Sequence, residues 1–174
     1  MKKVNVVGVS GSGKTTLAKK IAAKFDLQHI ELDALHWKED WSAYDSDEFQ
    51  RQICELMDAA KNGWVIDGYY GNKQGDRPWG DADTVIFLDI ALWRVKLRIA
   101  KRSIRLKMKG ELVWGTNKER LSHQIDLQKS VNKWHPETKR QMKEFSKDVP
   151  VGVAYYHFTS NKQANKWYNS IYED

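Results

Sequence analysis

The sequence predicts an α/β protein: a five-stranded parallel sheet sandwiched by helices, with a small helical lid. Three observations lead there. Short β-branched apolar runs alternate with amphipathic segments along the chain, the pattern of strand–helix–strand units. A glycine-rich turn separates the first run from the first amphipathic segment. The length, 174 residues, suits a single domain that buries a core without disulfide or metal staples.

The elements follow in order. Lys3–Val9 is β-branched and reads as a strand, and Lys14–Phe25 as a helix with Leu17, Ile21 and Ala22 on one face. Gln28–Leu32 is a second strand. Asp33–Tyr44 carries Trp37 and Trp41 without a clear period, so a loop or broken helix is expected. Ser46–Asn62 is an amphipathic helix with Phe49, Ile53, Leu56, Met57 and Ala60 at helical spacing; Ser46 is its expected cap and Gly63 its left-handed terminator. Trp64–Asp67 and Thr84–Ile90 are strands. Leu92–Lys109 is a long helix, and Gly110–Asn117 a loop whose glycines, Gly110 and Gly115, suit a hinged lid. Lys118–Lys147 is helical with an interruption expected near Pro136. Val151–Phe158 is the fifth strand and Ser160–Tyr172 the closing helix. Right-handed crossovers leave few ways to wind such a chain.

Composition excludes several classes. Cys54 is the single cysteine, so an internal disulfide and a cysteine-only metal site are ruled out, and Cys54 itself reads as core. No run of about 18 apolar residues exists to span a membrane. No signal peptide is expected at the amino end, and a cytoplasmic setting is. His36, His123, His135 and His157 show no zinc-ligand spacing. Trp64 and Trp93 read as core, Trp114 and Trp134 as lid lining or packing. The net charge of +6 is uneven: residues 1–89 carry −4 and residues 90–174 carry +10. A basic half points to a polyanionic partner.

The strongest signal is Gly8-Val9-Ser10-Gly11-Ser12-Gly13-Lys14-Thr15, which fits G-x-x-x-x-G-K-[ST] at every fixed position. Glycines let the backbone curl so that successive N–H groups of Gly8, Ser10, Gly11, Ser12 and Gly13 face phosphate oxygens. The new helix adds its positive end. Lys14 sets an ammonium between β- and γ-phosphates, and Thr16 is placed to reach the α-phosphate. The Thr15 hydroxyl is a hard ligand for Mg²⁺. The expected ligands are therefore ATP and Mg²⁺.

Phosphoryl transfer also needs an acidic group near the metal. Asp67 and Asp89 both end apolar runs and both stand as candidates; Asp89 also suits the cap of the helix that follows it. Asp33 ends the second strand at the edge where ligands bind, placed to orient or deprotonate an acceptor, or else to cap a helix. His36, Trp37 and Trp41 beside it suit a ring-bearing acceptor or a packed lid. From Arg94 to Lys109 there are eight basic residues and no acidic one. Arg94, Arg98, Arg102 and Arg105 fall within about 80° on the helix. Such a stripe can clamp a transferring phosphoryl group, neutralise a nucleic-acid backbone, or simply form a salt-bridged or solvated helix face. No DNA-binding motif accompanies it, so nucleic acid is not favoured.

Several segments resemble the FlaR-type "DNA topology modulation" proteins, which are similar to adenylate kinases among small P-loop kinases. They are the phosphate loop, Leu32-Asp33-Ala34-Leu35-His36-Trp37-Lys38 with Trp41, Trp64-Val65-Ile66-Asp67-Gly68-Tyr69-Tyr70, and Ala82–Asp89. The resemblance covers roughly residues 1–110. It implies that Asp67 faces the Mg²⁺ site, that Arg98 and Arg102 stabilise the transferred group, and that Ser160-Asn161-Lys162 lies near adenine, unless that segment only caps the final helix. It also implies an acceptor region over residues 33–62 and a lid region over about 108–145. The chain departs from the family at Tyr69, where an asparagine is usual, and at Ala91-Leu92-Trp93, where Pro-Arg-Trp is usual. The expected activity is ATP- and Mg²⁺-dependent phosphoryl transfer to a small acceptor, a nucleoside or nucleotide first. The alternative is an NTP-binding regulatory or DNA-associated protein with weak NTPase activity. No membrane partner is expected, and the sequence does not set the oligomeric state.

Overall fold

Strand β1 (Lys3–Val7) is central, and its alternation divides the core in two. Val4 and Val6 face one side of the sheet and Val7 the other, as a period of two requires. The structure is a computed structural model describing residues 1–38, 41–109, 112–113, 117–118 and 121–171. Helix α1 (Lys14–Phe25) follows β1, then β2 (Gln28–Glu31), the short α2 (Leu32–His36), α3 (Ser46–Ala59) and β3 (Trp64–Asp67). A 3₁₀ turn (Gly71–Gln74) and α4 (Arg77–Gly80) lead to β4 (Thr84–Leu88) and α5 (Leu92–Lys109). A small pair, β5 (Leu112–Val113) and β6 (Asn117–Lys118), precedes α6 (Leu121–Phe145), β7 (Ala154–Phe158) and α7 (Asn161–Ser170).

The five main strands form one parallel sheet in the order β2-β3-β1-β4-β7. Val4, Val6, Val65, Ile86 and Leu88 pack against Leu17, Ala18 and Ile21 of α1, Val95 and Ile99 of α5, and Ala164 of α7. On the other face Ile30, Ile66, Val85 and Phe87 meet Phe49, Ile53 and Met57 of α3 and Met142 of α6. The chain winds from β1 to one side through α1 and β2, then returns past β3 to β4 on the other side. The carboxyl end of β1 therefore sits at the crevice where ligands bind in open α/β sheets.

The fold matches the expected class, with local corrections. Asp45, not Ser46, caps α3: its carboxylate accepts from the Glu48 N–H at 2.9 Å, and the helix begins one residue later. Helix α3 ends at Ala59, so Gly63 does not terminate it directly. Gly63 has φ 110°, and a Cβ there would lie 2.0 Å from the Lys2 carbonyl oxygen, so the close approach of β1 and β3 demands glycine. Pro136 lies inside α6 without ending it. Around it, the His135 ring donates to the Ile90 carbonyl at 3.0 Å, and Thr138 and Met142 are buried, which offsets the missing N–H. Trp93 is 60% exposed and not core, because Val95 and Ile99 supply the buried face of α5. Trp64 is core, as expected; Trp134 is exposed and Cys54 half-buried. Within the expected loop 110–117, Leu112 pairs with Lys118 and Val113 with Asn117. Gly110, Trp114 and Gly115 lie outside the described residues. Among the described residues no helix is long and apolar enough to cross a membrane.

Candidate active site

The loop between β1 and α1 is shaped by contacts that only glycine admits. Gly13 precedes α1 with φ 99° and offers no side-chain cap, which leaves the first-turn N–H groups facing outward. A Cβ on Gly13 would stand 2.6 Å from the Asn161 side-chain nitrogen, and one on Gly11 would stand 3.0 Å from Ile99. Helices α5 and α7 thus press the loop from two sides. Asn161 Nδ2 donates to the Ser12 carbonyl at 2.8 Å. Arg98 Nη1 donates to the same carbonyl at 3.1 Å. The Ser12 N–H, expected to face phosphate, is instead bonded to the Val9 carbonyl at 3.0 Å within the loop. Ser10 and Thr15 are half-buried and Thr16 is exposed.

Lys14 is buried at the start of α1, with its ammonium 3.3 Å from Asp33 Oδ2 and 3.8 Å from Asp67 Oδ1. Burial works against its charge, but Asp33 and then Asp67 outweigh that and hold its pKa above the usual lysine value. Burial likewise opposes the Asp33 carboxylate. The Lys14 charge, a hydrogen bond from Tyr70, a hydrogen bond from Lys14 and the charge of Arg102 overcome it, so Asp33 titrates below its ordinary value. The Tyr70 hydroxyl donates to Asp33 Oδ1 at 2.7 Å. Burial and then the Asp33 charge push the phenol pKa far up, so Tyr70 stays a donor. Around it His36 is buried, its ring 4.5 Å from that of Tyr70, with Phe49 5.2 Å from Tyr70 on another side. Burial and the Lys73 charge hold His36 below the usual histidine value, which favours the neutral ring. Trp37 and Trp41 pack edge to face at 6.2 Å in the same wall. Asp33 lies within α2, and its carboxylate turns to Tyr70 and Lys14.

Strands β3 and β4 both adjoin β1, so adjacency alone does not separate Asp67 from Asp89. Their partners do. Asp67 is fully buried beside Lys14, and its Oδ1 has no hydrogen-bond partner. An orphaned hard oxygen next to the loop fits Mg²⁺, with the Thr15 hydroxyl as a second oxygen. Asp89 instead meets Lys139 at 2.8 Å and His157 at 3.3 Å, with His135 at 3.9 Å. Its carboxylate is thus committed to these side chains, and the Arg94 and Val95 N–H groups in the first turn of α5 bond to the Ala91 carbonyl.

Two residues in and around this site, Tyr70 and His29, escaped sequence reasoning. Tyr70 sits in the Asp-Gly-Tyr-Tyr segment, where no pattern distinguishes it from Tyr69. Of the Ser160-Asn161-Lys162 segment, Ser160 caps α7 by accepting from the Gln163 N–H, and Asn161 reaches the phosphate loop. His29 Nε2 lies 3.3 Å from Asp67 Oδ2, and with Glu31 these groups form a cluster whose ligand atoms are within 4.8 Å of one another. The signal was available in part: His29 and Glu31 alternate onto one face of β2, and Glu31 is in register with Asp67. A surface hollow lined by Lys2, Phe25, Leu27, Met57, Asn62 and Arg77 lies at the amino ends of the strands, away from the loop.

The sheet order, the loop after β1 and the buried lysine define an α/β fold of the P-loop kinase type. A family model for the NB-ARC domain matches residues 1–68, the stretch from β1 to just past Asp67. No curated protein matches the chain. Among solved structures, a shikimate kinase from Acinetobacter baumannii in complex with shikimate is similar, with TM-score 0.54, 13% identity, and coverage of 99% of this chain and 92% of that one. A shikimate kinase from Bacteroides thetaiotaomicron is also similar, with TM-score 0.52, 15% identity, and coverage of 98% and 96%. Identities this low speak for the fold.

Proposed function

We propose that the protein is an ATP- and Mg²⁺-dependent phosphotransferase of the adenylate-kinase-like class that acts on a small hydroxyl- or phosphate-bearing acceptor, a nucleoside or nucleotide first. The observation that carries this reading is the convergence of Lys14, Asp33 and Asp67 at the phosphate loop, with Asp33 anchored by Tyr70 beside an aromatic wall. A loop that only bound and hydrolysed nucleotide would need no anchored carboxylate on the acceptor side. The motif resemblance to FlaR-type proteins supports placing the chain in that family, and residues 33–62 and about 108–145 serve in this reading as acceptor and lid regions.

The loop amides and Lys14 hold the donor phosphates, and Thr16 approaches the α-phosphate. Thr15 and Asp67 would hold Mg²⁺, which when bound neutralises charge on the β- and γ-oxygens. Asp33 accepts a hydrogen bond from the acceptor hydroxyl and aims its oxygen at the γ-phosphorus. The new O–P bond forms as the bond to the β–γ bridging oxygen breaks; ADP departs, and the hydroxyl proton passes to Asp33. Arg98 and Arg102 supply positive charge. Arg98 already reaches the loop, and the Arg102 charge acts on Asp33. The hydrogen bond of Arg98 to the loop supports the phosphoryl clamp over a DNA-binding stripe.

The test is an ATP-consumption assay over a panel of nucleosides, nucleotides and sugars, with product identification by mass spectrometry. At least one acceptor is expected to yield ADP and a phosphorylated product above the water-only rate. A folded, ATP-binding protein that phosphorylates none of them would favour the regulatory or DNA-associated alternative. That alternative further requires DNA affinity that falls steeply with salt and is lost on charge reversal at Arg94 and Arg105.

A further inference from the structure

Lys14 stands between two demands. The donor phosphates require its ammonium in the loop, yet that ammonium lies 3.3 Å from Asp33 Oδ2. The other Asp33 oxygen is taken by the Tyr70 hydroxyl. An acceptor hydroxyl approaching Asp33 therefore meets one oxygen bound to Lys14 and the other bound to Tyr70. Lys14 is a flexible chain able to redirect its three N–H donors. Tyr70 is not free to move in this way. Its backbone N–H donates to the side chain of buried Gln74 at 2.7 Å. Its ring is wedged against His36 and Phe49.

We infer that Lys14 is shared between the two sites: the Asp33 carboxylate and a bound triphosphate compete for its ammonium, and Tyr70 is the positioning residue that keeps the Asp33 carboxylate in place when a triphosphate draws Lys14 away. Nucleotide binding thereby opens Asp33 Oδ2 for the acceptor. By reciprocity the Asp33 carboxylate competes with the triphosphate for Lys14, and part of the nucleotide affinity is spent on breaking that contact. The inference rests on the kinase reading above and adds an order to it, nucleotide before acceptor.

The competition is measurable without knowing the acceptor. Titration calorimetry with inorganic tripolyphosphate and with MgATP compares the wild type with Asp33→Asn, Glu31→Gln and Tyr70→Phe. Asp33→Asn removes the competitor and is expected to bind tripolyphosphate about tenfold tighter, the scale of a lost charge-assisted hydrogen bond. Glu31→Gln removes the same charge from the neighbouring strand end, where it acts on Lys14 through space alone, and is expected to stay within about threefold of wild type. Tyr70→Phe leaves the carboxylate free to follow Lys14 and is expected to weaken binding about threefold, opposite in sign to Asp33→Asn. A merely structural loosening would weaken both variants alike. Asp33→Ser replaces the Asn variant if thermal melting shows the latter unfolded. Equal affinity of Asp33→Asn and wild type, or an equal gain in Glu31→Gln, overturns the sharing of Lys14, while wild-type MgATP binding would leave the nucleotide reading standing. Tightening by Tyr70→Phe removes its positioning role. A folded wild type that binds neither ligand overturns both readings.

Discussion

Replacing Lys14 with methionine tests the electrostatic core of the site through stability alone. Methionine has nearly the same reach and fills the same buried volume, so the change removes charge with little loss of packing. It leaves Asp67, fully buried, with its cation gone and His29 as its nearest partner at 3.3 Å, and it deprives Asp33 of one of its two anchors. Breaking a buried ion pair from one side costs about 3–5 kcal/mol. Asp33 keeps Tyr70, and its side chain is 27% exposed, so its share is screened and the lower end applies, about 3 kcal/mol. For a chain of this length that is roughly a 6–12 °C fall in melting temperature. The pH dependence carries a sign. In the wild type Asp33 titrates below its ordinary 3.8, so its contribution is whole above that value and is lost as pH falls through the depressed one. Lys14 titrates above 10.5, so its contribution is whole below that value and is lost only as pH rises beyond it. In the variant Asp33 loses the Lys14 charge that helps hold its pKa down, so its carboxyl takes up a proton at a higher pH than in the wild type. The deficit is therefore widest near neutral pH and narrows on acidification. Urea unfolding at pH 7.5 and pH 5 reads both effects. A loss under about 1 kcal/mol at pH 7.5, or a deficit that grows on acidification, would refute the buried ion-pair account.

Five further substitutions test the β1–β3 contact, the phosphate loop and the two strand-end aspartates. Gly63→Ala sets a Cβ 2.0 Å from the Lys2 carbonyl at a φ of 110°, so the β1–β3 contact must shift; a loss of about 3 kcal/mol or more is expected in urea unfolding. Gly13→Ala strains a φ of 99° and collides with Asn161, so MgATP affinity is expected to fall at least about tenfold by calorimetry. Gly80→Ala, with nothing within 4 Å of the new Cβ, serves as its control and should bind like wild type. Asp67→Asn is expected to abolish the Mg²⁺ dependence of ATP binding. Asp89→Asn, which loosens Lys139 and His157, lowers the melting temperature but keeps that dependence. The reverse outcome would exchange the two aspartates.

Much of the fold was legible because its signals are local. The bounds of α1 and α5 follow from apolar spacing, and β3 from a four-residue apolar run ended by aspartate. Errors fell where a neighbour decides. Ser46 and Asp45 are both good caps, and only the helix start separates them. Trp93 reads as core by hydrophobicity, but a helix has one inward face and Val95 and Ile99 occupy it. Pro136 ends an isolated helix, and tertiary contacts on both sides carry α6 through it.

The phosphate loop, the strand-end aspartates and the arginine stripe are properties of the linear sequence, because each depends on a few residues at fixed short spacing. Which aspartate lies beside Lys14, the grip of Tyr70 on Asp33, the arrival of Asn161 at the loop and the approach of His29 to Asp67 all join residues more than thirty positions apart. Those distances were set only when the parallel sheet brought the carboxyl ends of β1, β2 and β3 together, since pairing between strands is chosen by the packing of the whole core and leaves no mark at the residues it unites.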